Sequence, residues 1–387
     1  MRDGNVKANG VDAFLLSVFL LLLGIGLVNL LSASAAQAAL YRFDAYYYFE
    51  NQAIRALIGL GLVVLIYFLP GGFLRRISPA ALVGSLVLLG LSFLPYFRDP
   101  EMVTYRWIRI FGVSVQPSEF ARVGVVMFMA WSLSRLGDLV ADFRRGFLPH
   151  LLLLAVFGFL VVLQKDLGGA FIVAALVVGL CFLSGMRSAY FLIFAVILGV
   201  AGWYYIVNFG YRVNRISGWL DPFADPQNKG YVILHSFYAF ANGGILGVGP
   251  GQSLEKLFFI PQVHTDYIFS VVGEEMGLVG VAAVAGLFLT FVFRGFHIAR
   301  AAGSLFDYYL ACGATMMIAL PAFVNMAVAL SILPSKGLAL PFFSYGGSNM
   351  LVSCLAVGLL LNVAKRTFRK EEPSEGEYVS RLSMEAD

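Results

Sequence analysis

The stretch FLPHLLLLAVFGFLVVLQKDLGGAFIVAALVVGLCFL, Phe147 to Leu183, decides the fold. Two apolar runs of 17 residues each flank Gln164-Lys165-Asp166, and neither run contains an Asp, Glu, Lys or Arg. A run of this kind approaches the ~20 residues that carry a helix across the hydrocarbon core of a bilayer. Inside lipid a helix satisfies its own backbone, which an isolated strand cannot do. The stretch therefore reads as two membrane spans back to back, joined by a polar turn.

Working outward along the chain gives about ten such helices. Before the pair come Asp12 to Leu31, Ala53 to Leu69, Pro79 to Leu94, and a fourth opening at Pro117 and running to Ser134. Proline suits a first turn because its missing N–H would be unpaired there anyway. After the pair come Ala189 to Val207, Tyr267 to Phe293, Leu305 to Leu330 and Gly347 to Val363. The fold class is thus an all-α polytopic membrane protein. A single integral membrane domain covers residues 1–370, with a large loop at about 208–265 between the seventh and eighth spans, and 371–387 form a short polar tail. Within the loop, Tyr231 to Ala241 alternates apolar and polar residues at helical spacing, as a helix lying at the membrane surface does.

Composition agrees. Of the 387 residues, 59% are hydrophobic and 13% charged, against roughly 45–50% and about 25% in soluble domains. The N-terminal run, with Ser32-Ala33-Ser34-Ala35-Ala36-Gln37-Ala38 after it, imitates a secretory signal. Its length favours a retained helix over a signal h-region of ~7–15 residues. Cys181, Cys312 and Cys354 each lie inside an apolar run without CxxC spacing, so they read as buried thiols. A net charge of +4 with no basic stripe points to no nucleic-acid partner. Lys and Arg crowd one set of short loops (Arg75, Arg76, Arg135, Arg144, Arg145, Arg187) more than the other, which places both termini in the cytoplasm and the long loop outside.

Ionisable residues in or beside spans are costly and mark the places to search for chemistry. Glu119 and Arg122 share a face of the fourth helix, as a charge pair or as a substrate-facing site. Asp166 stands at a helix junction, where capping is the plainer role. Asp266, in His264-Thr265-Asp266-Tyr267-Ile268-Phe269, could cap the eighth span. It could equally act as a lone general base at the membrane surface. Glu274 and Glu275 read as structural ligands for loop backbone or for an arginine. Arg106, Arg109, Arg212, Arg215 and Lys336 could neutralise a diphosphate, although single cations of this kind also snorkel. Gly247-Val248-Gly249-Pro250-Gly251 imitates a phosphate loop without the strand that should precede it. The chain holds no GxxxxGK[ST], HExxH or Ser/His/Asp pattern.

In order and spacing these segments resemble the SEDS family of polytopic peptidoglycan polymerases, which includes FtsW, RodA and SpoVE. The matching pieces are Leu31-Ser32-Ala33-Ser34, Arg106-Trp107-Ile108, Gln116-Pro117-Ser118-Glu119-Phe120-Ala121-Arg122 and Gln164-Lys165-Asp166-Leu167-Gly168. They continue with Tyr211-Arg212, Arg215, Asp221-Pro222, Ile260-Pro261 through Phe269, Gly273-Glu274-Glu275 and Leu340-Pro341-Phe342-Phe343-Ser344-Tyr345-Gly346-Gly347-Ser348. Lys165 departs from a common Pro, Arg122 from Lys and Tyr267 from Phe. Pro334-Ser335-Lys336-Gly337-Leu338 is similar to the Pro-Thr-Lys-Gly of the division-type members, so the resemblance favours septal synthesis over RodA-type elongation.

The resemblance implies a peptidoglycan glycosyltransferase that polymerises lipid II in the inner membrane of a bacterium. Asp266 would be its catalytic base. Arg106, Trp107, Glu119, Arg122, Asp166, Arg212, Arg215, His264 and Lys336 would contact substrate or its diphosphate. It needs no nucleotide, because the donor already carries its leaving group. A divalent cation, Mg2+ or Mn2+, is an alternative to cationic side chains at that diphosphate. The implied partners are a class B penicillin-binding protein, other divisome proteins and membrane lipid. The rival reading from another class is a lipid II flippase or transporter.

Overall fold

A computed structural model describes residues 11–97, 105–110, 112–207 and 210–369. Arg2, Lys7, Arg98 and the tail at 371–387 lie outside the described residues. Twelve α-helices and one β-hairpin are found among those described: α1 (Ala13–Arg42), α2 (Tyr47–Phe68), α3 (Gly71–Leu91), β1 (Ile108–Ile110), β2 (Val113–Val115), α4 (Pro117–Leu136), α5 (Leu148–Leu163), α6 (Leu167–Leu183), α7 (Ser188–Val207), α8 (Gly210–Leu220), α9 (Tyr231–Gly243), α10 (Ile268–Ala301), α11 (Leu305–Ala329) and α12 (Gly347–Arg369). The chain is a multi-pass membrane protein. Eight helices are long and apolar enough to cross a bilayer, and α6 and α7 are shorter apolar helices, which together account for the ten expected spans. The surface helix expected at Tyr231 is α9.

Two starts differ from the sequence reading. α2 begins at Tyr47 rather than Ala53, and α3 at Gly71 rather than Pro79. Hydropathy marks where hydrocarbon begins, but helices run on into the headgroup zone, where Glu50 or the exposed Arg75 and Arg76 are welcome. The centre of the bundle is α11 and α12, with 72% and 83% of their most apolar windows buried, against 22% for α2 and α3 at the rim. Asn362 of α12 donates to the carbonyls of Ile66, Tyr67 and Leu69, closing the C-terminal end of α2.

α10 is two helices in line. Gly277 takes φ 62°, ψ −162°, which breaks the ladder and is a conformation open to glycine. In lipid each freed group needs a protein partner, and the turn after α9 supplies four. Val248 and Gly249 donate to the carbonyls of Glu274 and Glu275, while Leu278 and Val279 donate to those of Gly244 and Ile245. The would-be phosphate loop is therefore a patch on a broken helix. The part beyond the break, Leu278 to Ala301, is about 36 Å long and spans a bilayer alone. The part before it, together with α8 and α9, builds the loop-rich end of the bundle where the polar site lies.

Candidate functional site

A cavity of ≈ 310 Å³ opens at that end. One wall is Asn214 and Arg215 of α8 with Asn228 and Lys229 from the turn before α9. The facing wall is Pro261, Asp266 and Tyr267, with Ser335, Lys336 and Gly337 from the segment after α11. Among the described residues, Asp266 is the one carboxylate on this lining, which also carries the three cations Arg215, Lys229 and Lys336.

Asp266 does not cap the helix that follows it. α10 starts at Ile268, its N-cap residue is Tyr267, and no side chain caps it. The chain arrives through a turn in which Thr265 and Asp266 N–H groups donate to the Gln262 carbonyl. This turn delivers the carboxylate to the cavity rather than to the helix end. Burial pushes its carboxyl above the ordinary carboxylate range, opposed by the Thr265 hydroxyl and by the charges of Arg215 and Arg106. A cavity-lining carboxylate with a raised pKa is suited to accept a proton.

Lys336 lies with Nζ 4.7 Å from the centre of the Phe171 ring on α6, and burial lowers its pKa. Arg106 is half-buried just before β1, with a buried Nε that meets no hydrogen-bond partner among the described residues. Trp107 is half-buried beside it. The backbone of Arg212 belongs to α8, but its side chain lies outside the described set.

Arg106 and Trp107 are not on the lining itself, and four further expected site residues lie elsewhere. Glu119 and Arg122 form a buried ion pair within α4, Oε2 to Nη1 2.7 Å. Asp166 caps α6 by accepting from the Gly169 N–H at 2.9 Å. Its other oxygen takes Ser118 Oγ at 2.7 Å and Gln116 Nε2 at 3.0 Å, which ties α6 to the start of α4. Lys165 turns this junction at φ 63°, a conformation closed to the proline that is common there in the resembling family. His264 is buried between aromatic rings, stacked on Tyr48 at 4.7 Å and edge-on to Tyr345 at 6.0 Å, and burial brings its pKa down to about 4. None of the four lines the cavity.

Glu274 and Glu275 are structural ligands, one for loop backbone and the other for a lysine rather than an arginine. Glu274 accepts from Ser253 Oγ and from the Leu254 and Glu255 N–H groups. Glu275 takes Lys256 Nζ and Ser32 Oγ, each at 2.6 Å. Lys229, Asn214, Asn228 and Ser335 escaped the sequence reading. They sit in a Gly/Asp/Asn/Pro-rich loop and its neighbours, where no periodicity says which side chains turn inward. A resident divalent ion fits the described lining poorly, because among the described residues one carboxylate stands with three cations and hard cations take several oxygen ligands.

The fold and site define a class: a helical membrane protein with a cation-lined polar cavity, holding one carboxylate, at one mouth of the bundle. A family model for the FtsW/RodA/SpoVE cell cycle proteins matches residues 12–369, and the chain belongs to that family. It is 39% identical over 355 residues to a probable peptidoglycan glycosyltransferase FtsW of Geobacter metallireducens, covering 92% of this chain and 95% of that one. It is 34% identical over 362 residues to stage V sporulation protein E of Bacillus subtilis, covering 93% and 98%. Among solved structures, one describing the structural coordination of polymerization and crosslinking by a peptidoglycan synthase complex aligns with TM-score 0.76 at 28% identity, covering 93% of this chain and 99% of that one. The rod shape determining protein RodA of Thermus thermophilus aligns with TM-score 0.69 at 25% identity, covering 93% and 99%.

Proposed function

We propose that the chain is a peptidoglycan glycosyltransferase that polymerises lipid II at the Asp266 cavity, in septal wall synthesis. The observation that carries this reading is the cavity-lining carboxylate of Asp266 among cations, on a chain whose relatives are named FtsW. Asp266 takes the proton from the acceptor sugar's 4-hydroxyl as that oxygen attacks the donor's anomeric carbon from the face opposite the diphosphate. The new C–O bond forms as the bond to the diphosphate breaks. The electron pair leaves on undecaprenyl diphosphate, and the proton passes from Asp266 to water. Arg215, Lys229 and Lys336 stabilise the charge that develops on the leaving group. No step needs a nucleotide.

The cavity end faces outward in this reading, in line with the basic-residue asymmetry. Cysteine placed at the exposed Gln227 should react with an impermeant maleimide applied from outside, and cysteine at the exposed Arg144 should not. The reverse pattern would overturn the orientation. The structural likeness to a synthase that coordinates polymerization and crosslinking supports a class B penicillin-binding protein as partner.

The decisive experiment is polymerisation of lipid II by purified Asp266→Asn protein, with binding of lipid II measured alongside. Loss of glycan strands with binding retained supports the base. Polymerisation near the wild-type rate rules it out.

A further inference from the structure

We propose that Asn325 of α11 is the positioning residue that holds the Asp266 carboxylate at its working distance from the Lys336 segment. The proposal rests on the reading of Asp266 as the base.

Asn325 is 1% exposed, close to the end of α11. Its side-chain amide has two N–H donors, and both are spent across the site. One goes to the carbonyl of Asp266 at 2.9 Å, the other to the carbonyl of Leu338 at 2.7 Å. The two carbonyls lie on segments from different parts of the chain, and each borders the cavity. A single amide thus joins the base's own backbone to the segment that carries Lys336.

The junction is tight. A Cβ added to Gly337 would lie 2.9 Å from Oδ2 of Asp266, so this segment passes close to the carboxylate and a side chain there would crowd it. The far side of the segment is anchored independently, by Leu338 packed against Gly168 and by Lys336 over Phe171, both on α6. Releasing the amide therefore loosens the Asp266 side first and leaves the cation on its α6 seat. The expected signature is a loss in turnover rather than in substrate affinity. Displacing a reacting group by about 1 Å can cost ~10²-fold in rate.

The test measures kcat and KM for lipid II polymerisation with full-length protein. Asn325→Ala removes the amide, and Asn325→Asp keeps its shape while replacing the donors with acceptors. Gly337→Ala leaves both donors in place and crowds the carboxylate. Thr315→Val is the control, a buried residue on the same helix whose hydroxyl bonds only to the Ala311 carbonyl of its own helix. We expect kcat to fall about 10- to 100-fold in the first three, with KM within about threefold of wild type, and little change in the control. If Asn325→Asp and Gly337→Ala turn over at the wild-type rate while Asp266→Asn is inactive, the positioning role is overturned and the base stands. A loss that appears as strongly in Thr315→Val reduces Asn325 to helix packing. If Asp266→Asn polymerises normally, the base reading falls and this inference falls with it. Should Asn325→Ala fail to fold, Asn325→Asp carries the test, since it removes the same two donors.

Discussion

Asp166 and Asp266 look alike in sequence and differ in every respect that matters once folded. Each directly precedes an apolar helix, in Gln164-Lys165-Asp166-Leu167 and Thr265-Asp266-Tyr267-Ile268, and each is an obvious N-cap candidate. Asp166 does cap, and its two oxygens are consumed by a backbone N–H, a hydroxyl and an amide. Asp266 caps nothing, and the next residue takes the N-cap position. One carboxylate is structural because its lone pairs are spoken for. The other lines a cavity, with the Thr265 hydroxyl as its hydrogen-bonding neighbour. A buried charge is informative less for being buried than for what its oxygens face.

The largest expected effect separates the two. Asp266→Asn should lower polymerisation by about 10²–10⁴-fold, the usual consequence of removing a positioned general base, with little change in thermal stability. Asp166→Asn should do the opposite. It keeps one acceptor for Gly169 but turns the other atom into a donor facing Gln116, at a cost of about 1–2 kcal/mol in stability. The folded fraction should polymerise within a few-fold of wild type. Equal rate losses in the two variants would erase the distinction.

A third carboxylate extends the comparison. Glu275 is committed to Lys256 and Ser32, joining α10, the loop and α1 in one buried contact. Lys256→Met strands that carboxylate, and breaking a buried pair from one side typically costs about 3–5 kcal/mol. Thermal aggregation of detergent-solubilised protein should begin well below the wild-type temperature. Glu275→Gln with Lys256→Met should recover part of the loss, since no ionised group then stays unpaired. Unchanged melting in Lys256→Met would mean that the loop is held by Glu274 alone.

Spans were legible in the sequence because hydrocarbon imposes a length and a composition. The ten apolar runs and the Pro117 start followed from that, while the Asp166 cap was one of two roles open at its junction. The break at Gly277 was not legible, because its partners come from the turn after α9 and only the fold brings them together. The same holds for the cavity. Asp266, Arg215 and Lys336 could be named as a carboxylate and cations near spans, with the family resemblance supplying their likeness to a site. Lys229 and Asn325 could not, one lying in an aperiodic loop and the other in an apolar helix where a polar amide has many structural uses. The direction of the His264 ring was equally hidden. Asp266, two residues on, lines the cavity, while the His264 ring packs against Tyr48 and Tyr345.

A smaller effect concerns affinity. Lys336 and Arg215 line the cavity together with the Asp266 carboxylate, and the reading gives them the diphosphate. Replacing either with Gln should raise the KM for lipid II by about tenfold, equivalent to about 1.4 kcal/mol, with kcat less affected and melting unchanged. Wild-type KM values in both variants would leave Lys336 as a cation resting on Phe171 and nothing more.

The smallest effect uses pH to separate His264 from Asp266, two residues apart in the chain. Burial lowers the His264 pKa to about 4, so the unfolded chain binds the proton more readily between its ordinary value of ~6.5 and that point. Neutral His264 therefore supports the fold fully above about pH 6.5, and the support drains away as the pH falls toward 4. Asp266 has the opposite sign: its pKa is raised, so protonation on the acid side favours the folded form. Between pH 7.5 and 5.5 the His264 contribution should fall by about 1 kcal/mol. Melting of wild type and His264→Phe at those two pH values tests this, and the variant should lose less stability on acidification. Its polymerisation should still decline in acid, because that decline follows Asp266 taking up a proton. If His264→Phe instead abolishes the acid decline in rate, the imidazole is part of the reaction and its burial among the tyrosines is not the whole of its role.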